Sequence, residues 1–231
     1  MTDMILYSYF RSSASYRVRV GLHLKSIPFT TEPIHLVKDG GVQYQEHFTE
    51  INPQQCVPAL ECEDGVITQS GAILEYLEAK YPSPSLYTSD IAKDTFIRQI
   101  CQLIACDIHP LNNLRVLTYL TQELEVNQNA KSTWYQKWIL DGFKTLETWL
   151  EKSPHHIGRY AIGDNVTMAD LFIIPQIYNA HRFHIDMSAF PILQSIHDLC
   201  LKHPAFIASC PENQPDTPAD MRLKDLTKEN N

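Results

Sequence analysis

The sequence predicts an α/β domain followed by an all-α domain, and three observations carry that reading. Residues 4–82 alternate short apolar runs of strand length with segments of helical pattern. Residues 83–90, Ser-Pro-Ser-Leu-Tyr-Thr-Ser-Asp, form a proline- and serine-rich break. From Ala92 onward the apolar spacing settles to the helical period of about 3.6 and keeps it. The expected organisation is therefore a first domain over 1–82, a linker over 83–90 and a helical domain over 91–231. The last ends in a polar, proline-bearing extended tail from about Pro211.

Composition narrows the functional classes. A chain of 231 residues with 44% hydrophobic and 20% charged residues has the balance of an ordinary soluble globular protein. Its 19 basic and 27 acidic residues give a net charge of −8. That lacks the basic footprint of nucleic-acid or anionic-membrane binding, so an anionic ligand has to be held by local arginines or helix ends. The N-terminus has no basic flank or apolar core of a signal peptide, and no apolar run approaches membrane-spanning length. The six cysteines show neither CxxC spacing nor a dense framework, which fits reduced thiols in a cytoplasmic protein.

The elements follow in order. Residues 5–9 read as a short buried strand and 11–13 as a turn. A helix begins at Ser15, with Val18, Leu22 and Ile27 on its apolar side. Residues 29–36 are strand-like, 38–41 (Lys-Asp-Gly-Gly) form a turn, and 43–51 a short irregular helix. Residues 57–62 and 65–68 form a hairpin through Glu63-Asp64-Gly65. Ser70 is expected to cap a helix over 71–81, with Ile73, Leu74 and Leu77 apolar, stopped by Pro82 and Pro84. The order βαβ then ββα is that of a thioredoxin-like domain. Pro58 stands at the start of a strand that should be central. A cis Val57–Pro58 bond would account for it and turn the Val57 backbone toward a ligand, but the rarity of cis bonds favours trans.

In the helical domain, 92–124 read as one long helix bent at Pro110. Further helices span 134–152, 168–181 and 191–202, with a short one over 203–210. Trp134, Trp138 and Trp149 fall with the apolar stripe of the second and are expected in the core. Thr167-x-x-Asp170 is a capping box with Asp in the place of Glu, a folding device. His155-His156 and His181-x-x-His184 lack Cys or carboxylate partners at ligand spacing, so no metal site is expected.

The stretch with chemical promise is the first strand–helix turn. Ser12, Ser13 and Ser15 lie where free N–H groups and the positive end of a helix dipole meet, a setting suited to an anion or a thiolate. The same serines are equally suited to capping the helix and nothing more. A redox protein of this fold would carry CxxC here; the turn reads Ser12-Ser13-Ala14-Ser15, so a reactive sulfur has to be brought in.

A thioredoxin-like domain, then an all-α domain with that capping box, resembles the cytosolic glutathione transferases. Ser12-Ser13-Ala14-Ser15-Tyr16-Arg17-Val18-Arg19 is similar to the Ser-Ser-Cys-x-Trp-Arg-Val-Arg signature of their zeta class, whose members include maleylacetoacetate isomerase. Lys38-Asp39-Gly40-Gly41, Asn52-Pro53, Val57-Pro58, Gln69-Ser70, residues 165–170 and Gln214-Pro215-Asp216-Thr217-Pro218 match as well, so the likeness covers essentially the whole chain. Ala14 and Tyr16 replace the signature cysteine and tryptophan, so that cysteine is not indispensable if this chain is active.

The resemblance implies glutathione as cofactor. Ser12 matches the catalytic serine, with Ser13 and Arg11 beside it. Val57 would pair its backbone with the cysteinyl part, Gln69 and Ser70 would hold the γ-glutamyl carboxylate, and Gln43 would reach the glycine end. His109, Asn113, Leu114 and Arg115 match positions at which the helical domain completes the site. A thiol with a pKa of about 8.5 must drop about two units to be mostly ionised near neutrality, which takes roughly 2.7 kcal/mol. One charge-assisted hydroxyl bond gives roughly 1.5–3 kcal/mol and a helix end roughly 0.3–1 kcal/mol, so Ser12 at a helix start suffices. The implied reaction is cis–trans isomerisation of a small enoyl dicarboxylate, with Arg11, Arg115 and Arg182 as candidates for the carboxylates. The substrate would be maleylacetoacetate, in tyrosine and phenylalanine catabolism, or maleylpyruvate, in aromatic acid degradation. The alternatives are a general transferase for electrophiles or haloacids, and a non-catalytic glutathione-binding scaffold. A homodimer is implied too.

Overall fold

Strand β1 (Met4–Ser8) lies inside a four-stranded sheet of order β2-β1-β3-β4, in a computed structural model that describes residues 4–222. It runs parallel to β2 (Phe29–Pro33), with Met4 opposite Phe29, and antiparallel to β3 (Ala59–Cys62), with Leu6 opposite Leu60. β4 (Gly65–Thr68) closes the hairpin on the edge. A parallel pair needs a crossover, and helix α1 (Ser13–Leu24) is that crossover. Tyr7 and Ala59 form one layer with Ile34 and with Phe48 of α2 (Glu46–Ile51), and by alternation Leu6 and Leu60 face the other way.

Helix α1 is not half-exposed, as its apolar stripe alone implies. Every residue from Ser13 to Leu22 is buried, because α3 (Ser70–Lys80) packs on it from one direction and α9 (Pro204–Ser209) from another. The chain divides into two compact units, and the segment from His203 on belongs with the residues up to Pro84, not with the helical unit. The Tyr16 hydroxyl reaches the Phe206 carbonyl (3.4 Å) and Arg19 Nε the Ser209 carbonyl (3.0 Å). Pro211, Gln214 and Thr217 are buried, so this part of the expected tail is packed structure. Residues 223–231 of that tail lie outside the described residues. Lys25 fastens the end of the first unit, donating to the Tyr81 and Pro84 carbonyls and pairing with Glu78 at 2.7 Å.

The named elements of the second unit, Ser85–Lys202, are all helices. The single helix expected over 92–124 is broken. It comprises α4 (Ile91–Gln102), a π-helical stretch Leu103–Ile108, a 3-10 turn Pro110–Asn112 and α5 (Leu114–Gln122), with Asn113 accepting the Arg115 N–H as cap. The π stretch brings Ile108 against Gly142 of α6 (Gln128–Lys152); a Cβ on Gly142 would stand 2.1 Å from Ile108 Cδ1. Trp134, Trp138 and Trp149 are half-buried rather than core, and Trp134 donates to the Leu111 carbonyl, bracing the same break. α7 (Met168–Arg182) and α8 (Pro191–Cys200) complete the unit.

The capping box forms. Asp170, wholly buried, accepts the Thr167 N–H (2.7 Å), the Thr167 hydroxyl (2.9 Å) and the Ala161 N–H (2.9 Å). Burial pushes its carboxyl up to about 6, against the pull of those donors. The unfolded chain releases that proton at about 3.9. Stability from this group is thus full below pH ~4 and is lost as pH rises through about 6. Asp170→Asn removes the titration. The stability difference between wild type and variant, from urea unfolding between pH 4 and 7, should therefore shrink by about 3 kcal/mol as pH rises. A difference constant across that range refutes the assignment.

Candidate active site

In the β1–α1 turn the capping reading of the serines is realised at Ser12. Ser12 is the cap of α1, with extended backbone (φ −69, ψ 115), and its Oγ accepts the Ser15 N–H at 3.1 Å. The capping bond uses the oxygen, so the hydroxyl proton remains available to another acceptor. Ser13 and Ala14 are buried, whereas Arg11 and Ser12 are half-buried. No acidic residue occupies the first turn of α1, so nothing offsets the positive helix end. Arg11 donates to the Tyr9 hydroxyl (3.1 Å) and lies over the Phe10 ring, its guanidinium carbon 5.1 Å from the centroid. Among the described residues its Nε has no partner.

The turn is held from behind. The Phe10 N–H donates to Asp216 Oδ2 at 2.9 Å across 206 positions of sequence. Arg19, 0% exposed, donates to Ser8 Oγ (3.1 Å), the Phe10 carbonyl (3.0 Å) and the Ser209 carbonyl (3.0 Å). Ser12 N–H closes the turn onto the Tyr9 carbonyl at 2.9 Å. Sequence reasoning missed Arg17, Arg19 and Asp216. The available signal was the run Tyr16-Arg17-Val18-Arg19-Val20, which leaves a helix no polar face on which to place two arginines.

At the second helix start the expected cap is corrected. The N-cap residue of α3 is Gln69, and it makes no side-chain cap bond. Ser70 is the first helical residue, and its hydroxyl accepts Arg17 Nη1 at 3.2 Å. Gln69 has φ 68, a left-handed value strained for a side chain of its size, and its amide donates to Gln54 Oε1 at 2.7 Å. The open end of α3 leaves backbone N–H groups for an anion. Because Arg17 is one turn into α1, the starts of α1 and α3 are one arginine side chain apart.

Val57–Pro58 is cis, where the sequence favoured trans, and Val57 packs against the Tyr7–Phe48 cluster just before β3. Gln43 turns inward. It is 3% exposed, donates to the Leu36 carbonyl (3.1 Å) and sits under Gly41, where a Cβ would come within 2.6 Å of its Nε2. It braces the 38–44 loop rather than facing out, and its Oε1 has no partner among the described residues.

In the second unit, His109 follows the π stretch, half-buried; Asn113 caps α5, while Leu114 and Arg115 are exposed. Arg182 ends α7, exposed, its guanidinium carbon 4.9 Å from the Phe183 ring, which stacks on Tyr135 at 3.5 Å. His109 to Arg115 thus share one broken segment, and Arg182 stands on another helix.

Known proteins resemble this chain along nearly its whole length. The family model described as the glutathione S-transferase N-terminal domain matches residues 11–80. Maleylacetoacetate isomerase of Mus musculus is 45% identical over 218 residues, 94% of this chain and 97% of that protein. A holo maleylpyruvate isomerase, described as a bacterial zeta-class glutathione S-transferase, superposes with a TM-score of 0.89 at 37% identity, covering 93% of this chain and 100% of that one. Maleylacetoacetate isomerase from Methylobacterium extorquens AM1, solved with malonate and GSH, gives 0.87 at 36% identity, covering 93% and 100%. With such identity along nearly its whole length, and with the serine turn and the open α3 start in place, the chain belongs to the zeta class of glutathione S-transferases, the family of the maleylacetoacetate isomerases.

Proposed function

We propose that the chain catalyses glutathione-dependent cis–trans isomerisation of a short enoyl dicarboxylate, maleylacetoacetate or maleylpyruvate. The observation that carries this reading is the Ser12 hydroxyl, committed through its oxygen to the Ser15 N–H and poised to donate its proton at the start of α1. The relatives support the isomerase over a general transferase. The mouse relative and the holo structure are named for the two isomerisations, and the Methylobacterium enzyme holds glutathione together with a dicarboxylate.

The chain's residues fit the cofactor. The uncapped start of α3 and the Ser70 hydroxyl suit the γ-glutamyl carboxylate, with Gln69 beside them. The Val57 backbone would take the cysteinyl part, and Gln43 would shape the loop at the glycine end. Bound glutathione supplies the nucleophilic sulfur whose reversible addition frees the double bond to rotate. Ser12 holds that sulfur deprotonated by donating its hydroxyl proton, and the α1 dipole and the Arg11 charge favour the anion. Ser13 supports the turn from the first helical position. Arg11, Arg115 and Arg182 are the cationic partners for substrate carboxylates, and His109, Asn113 and Leu114 shape the segment that carries Arg115. We also propose a homodimeric, cytoplasmic protein, as the resemblance implies; among the described residues no helix is long and apolar enough to cross a membrane.

Three measurements test this. Ser12→Ala should lose about 1 kcal/mol of stability as a missing cap, yet turnover should fall roughly tenfold to a hundredfold. Turnover equal to wild type would remove the hydroxyl from the chemistry. With maleylacetoacetate or maleylpyruvate the trans product should accumulate with no net loss of glutathione; stoichiometric consumption would point to a conjugating transferase. Asp216→Ala frees the Phe10 N–H and should reduce turnover roughly tenfold through a displaced turn, whereas Asp216→Asn, which keeps an acceptor, should retain most of it. Matching losses in both variants would show that the accepted bond is not what matters.

A further inference from the structure

We propose that Arg17 is a positioning residue for the γ-glutamyl carboxylate of glutathione and acts through Ser70. The inference rests on the reading above that this carboxylate docks at the start of α3.

Arg17 is 1% exposed, and its Nη1 lies 3.2 Å from Ser70 Oγ in a buried hydrogen bond. A guanidinium only donates, so Ser70 must accept, and its own proton turns elsewhere. The bond from Arg17 is the hydroxyl's sole hydrogen bond among the described residues. The hydroxyl therefore presents a donor, polarised by a charge behind it in a low-dielectric setting. Such a group favours a carboxylate and disfavours an ammonium. The uncapped α3 start and the strained Gln69 backbone beside it (φ 68) point the same way.

Arg19, two residues on, is the internal contrast. Its guanidinium donates to Ser8 Oγ and to the Tyr9, Phe10 and Ser209 carbonyls, the last at the end of α9. Two buried arginines on one helix thus divide the work: Arg19 holds the catalytic turn, and Arg17 sets the character of the subsite next to it. A carboxylate hydrogen-bonded to Ser70 would lie about 6 Å from the guanidinium, close enough at an effective dielectric of about 20 to change binding roughly tenfold or more.

The test compares glutathione with γ-aminobutyryl-Cys-Gly, the same tripeptide without the α-carboxylate. The readout is the ratio of their KM values in the isomerisation assay, with kcat followed separately. Wild type should strongly prefer glutathione. Arg17→Met should cut that preference roughly tenfold, with the loss in KM rather than kcat, and Ser70→Ala should do the same. The double variant should lose little more than either single one, because the two residues act as a unit. Arg17→Gln keeps a donor for Ser70 without the charge; it should show the same loss and serves if the methionine variant does not fold. A preference kept by the Arg17 variants but lost in Ser70→Ala would make Arg17 purely structural and overturn the inference. A preference kept in Ser70→Ala as well would place the carboxylate elsewhere, overturning both this inference and the subsite reading beneath it.

Discussion

The buried guanidinium of Arg19 is the constraint on which the rest of the site depends. It joins the end of β1, the β1–α1 turn and the C-terminal segment at one point, through Ser8, Phe10 and Ser209. Charge at zero exposure is tolerated only where several oxygens receive it, and here they are oxygens of the chain itself. The turn that carries Ser12 is consequently defined by residues some 200 positions away, with Asp216 as a second anchor on the Phe10 N–H. A loop fixed from both ends of the sequence is a more rigid mount for a hydroxyl than a turn stabilised locally.

The same residues account for anion chemistry in an acidic protein. The net charge of −8 says nothing of the local field, because Arg11, Arg17 and Arg19 all lie at or within the first two turns of α1 and no acid stands in its first turn. The helix end and three guanidiniums concentrate positive potential at the start of α1, which suits the anions of the proposed function. Burial of two of them keeps that potential from being screened by salt.

Much of the fold was legible because periodicity reports the face an element buries. The strands, the hairpin, the crossover helix and the change to an all-helical pattern follow from it, and Ser12 stood out as a hydroxyl at a strand–helix junction. Periodicity does not name partners. It could not reveal that α9 and Asp216 return to the first unit, nor that Arg17 and Arg19 are internal, since charged residues on a helix ordinarily mark its wet side. The π stretch before His109 is a tertiary effect, made possible by the missing side chain of Gly142 against Ile108. Ser70 shows a different limit: a serine at a helix start has one sequence signature but two structural meanings, and here the buried arginine, not the helix backbone, takes its oxygen.

The loss of the signature cysteine has a physical explanation in the same turn. Ala14 is 7% exposed, on a helix covered by both α3 and α9. A thiol there would be enclosed, and desolvation would oppose its ionisation even beside a helix start. Ser12 is the group at the rim, and its capping bond with Ser15 fixes the hydroxyl oxygen while leaving the proton to donate. Each added acceptor role strengthens a hydroxyl as a donor, so the structural duty of Ser12 reinforces the chemical one. The proposed chemistry therefore tolerates alanine at the buried neighbour and relies on the half-buried serine at the start of the helix.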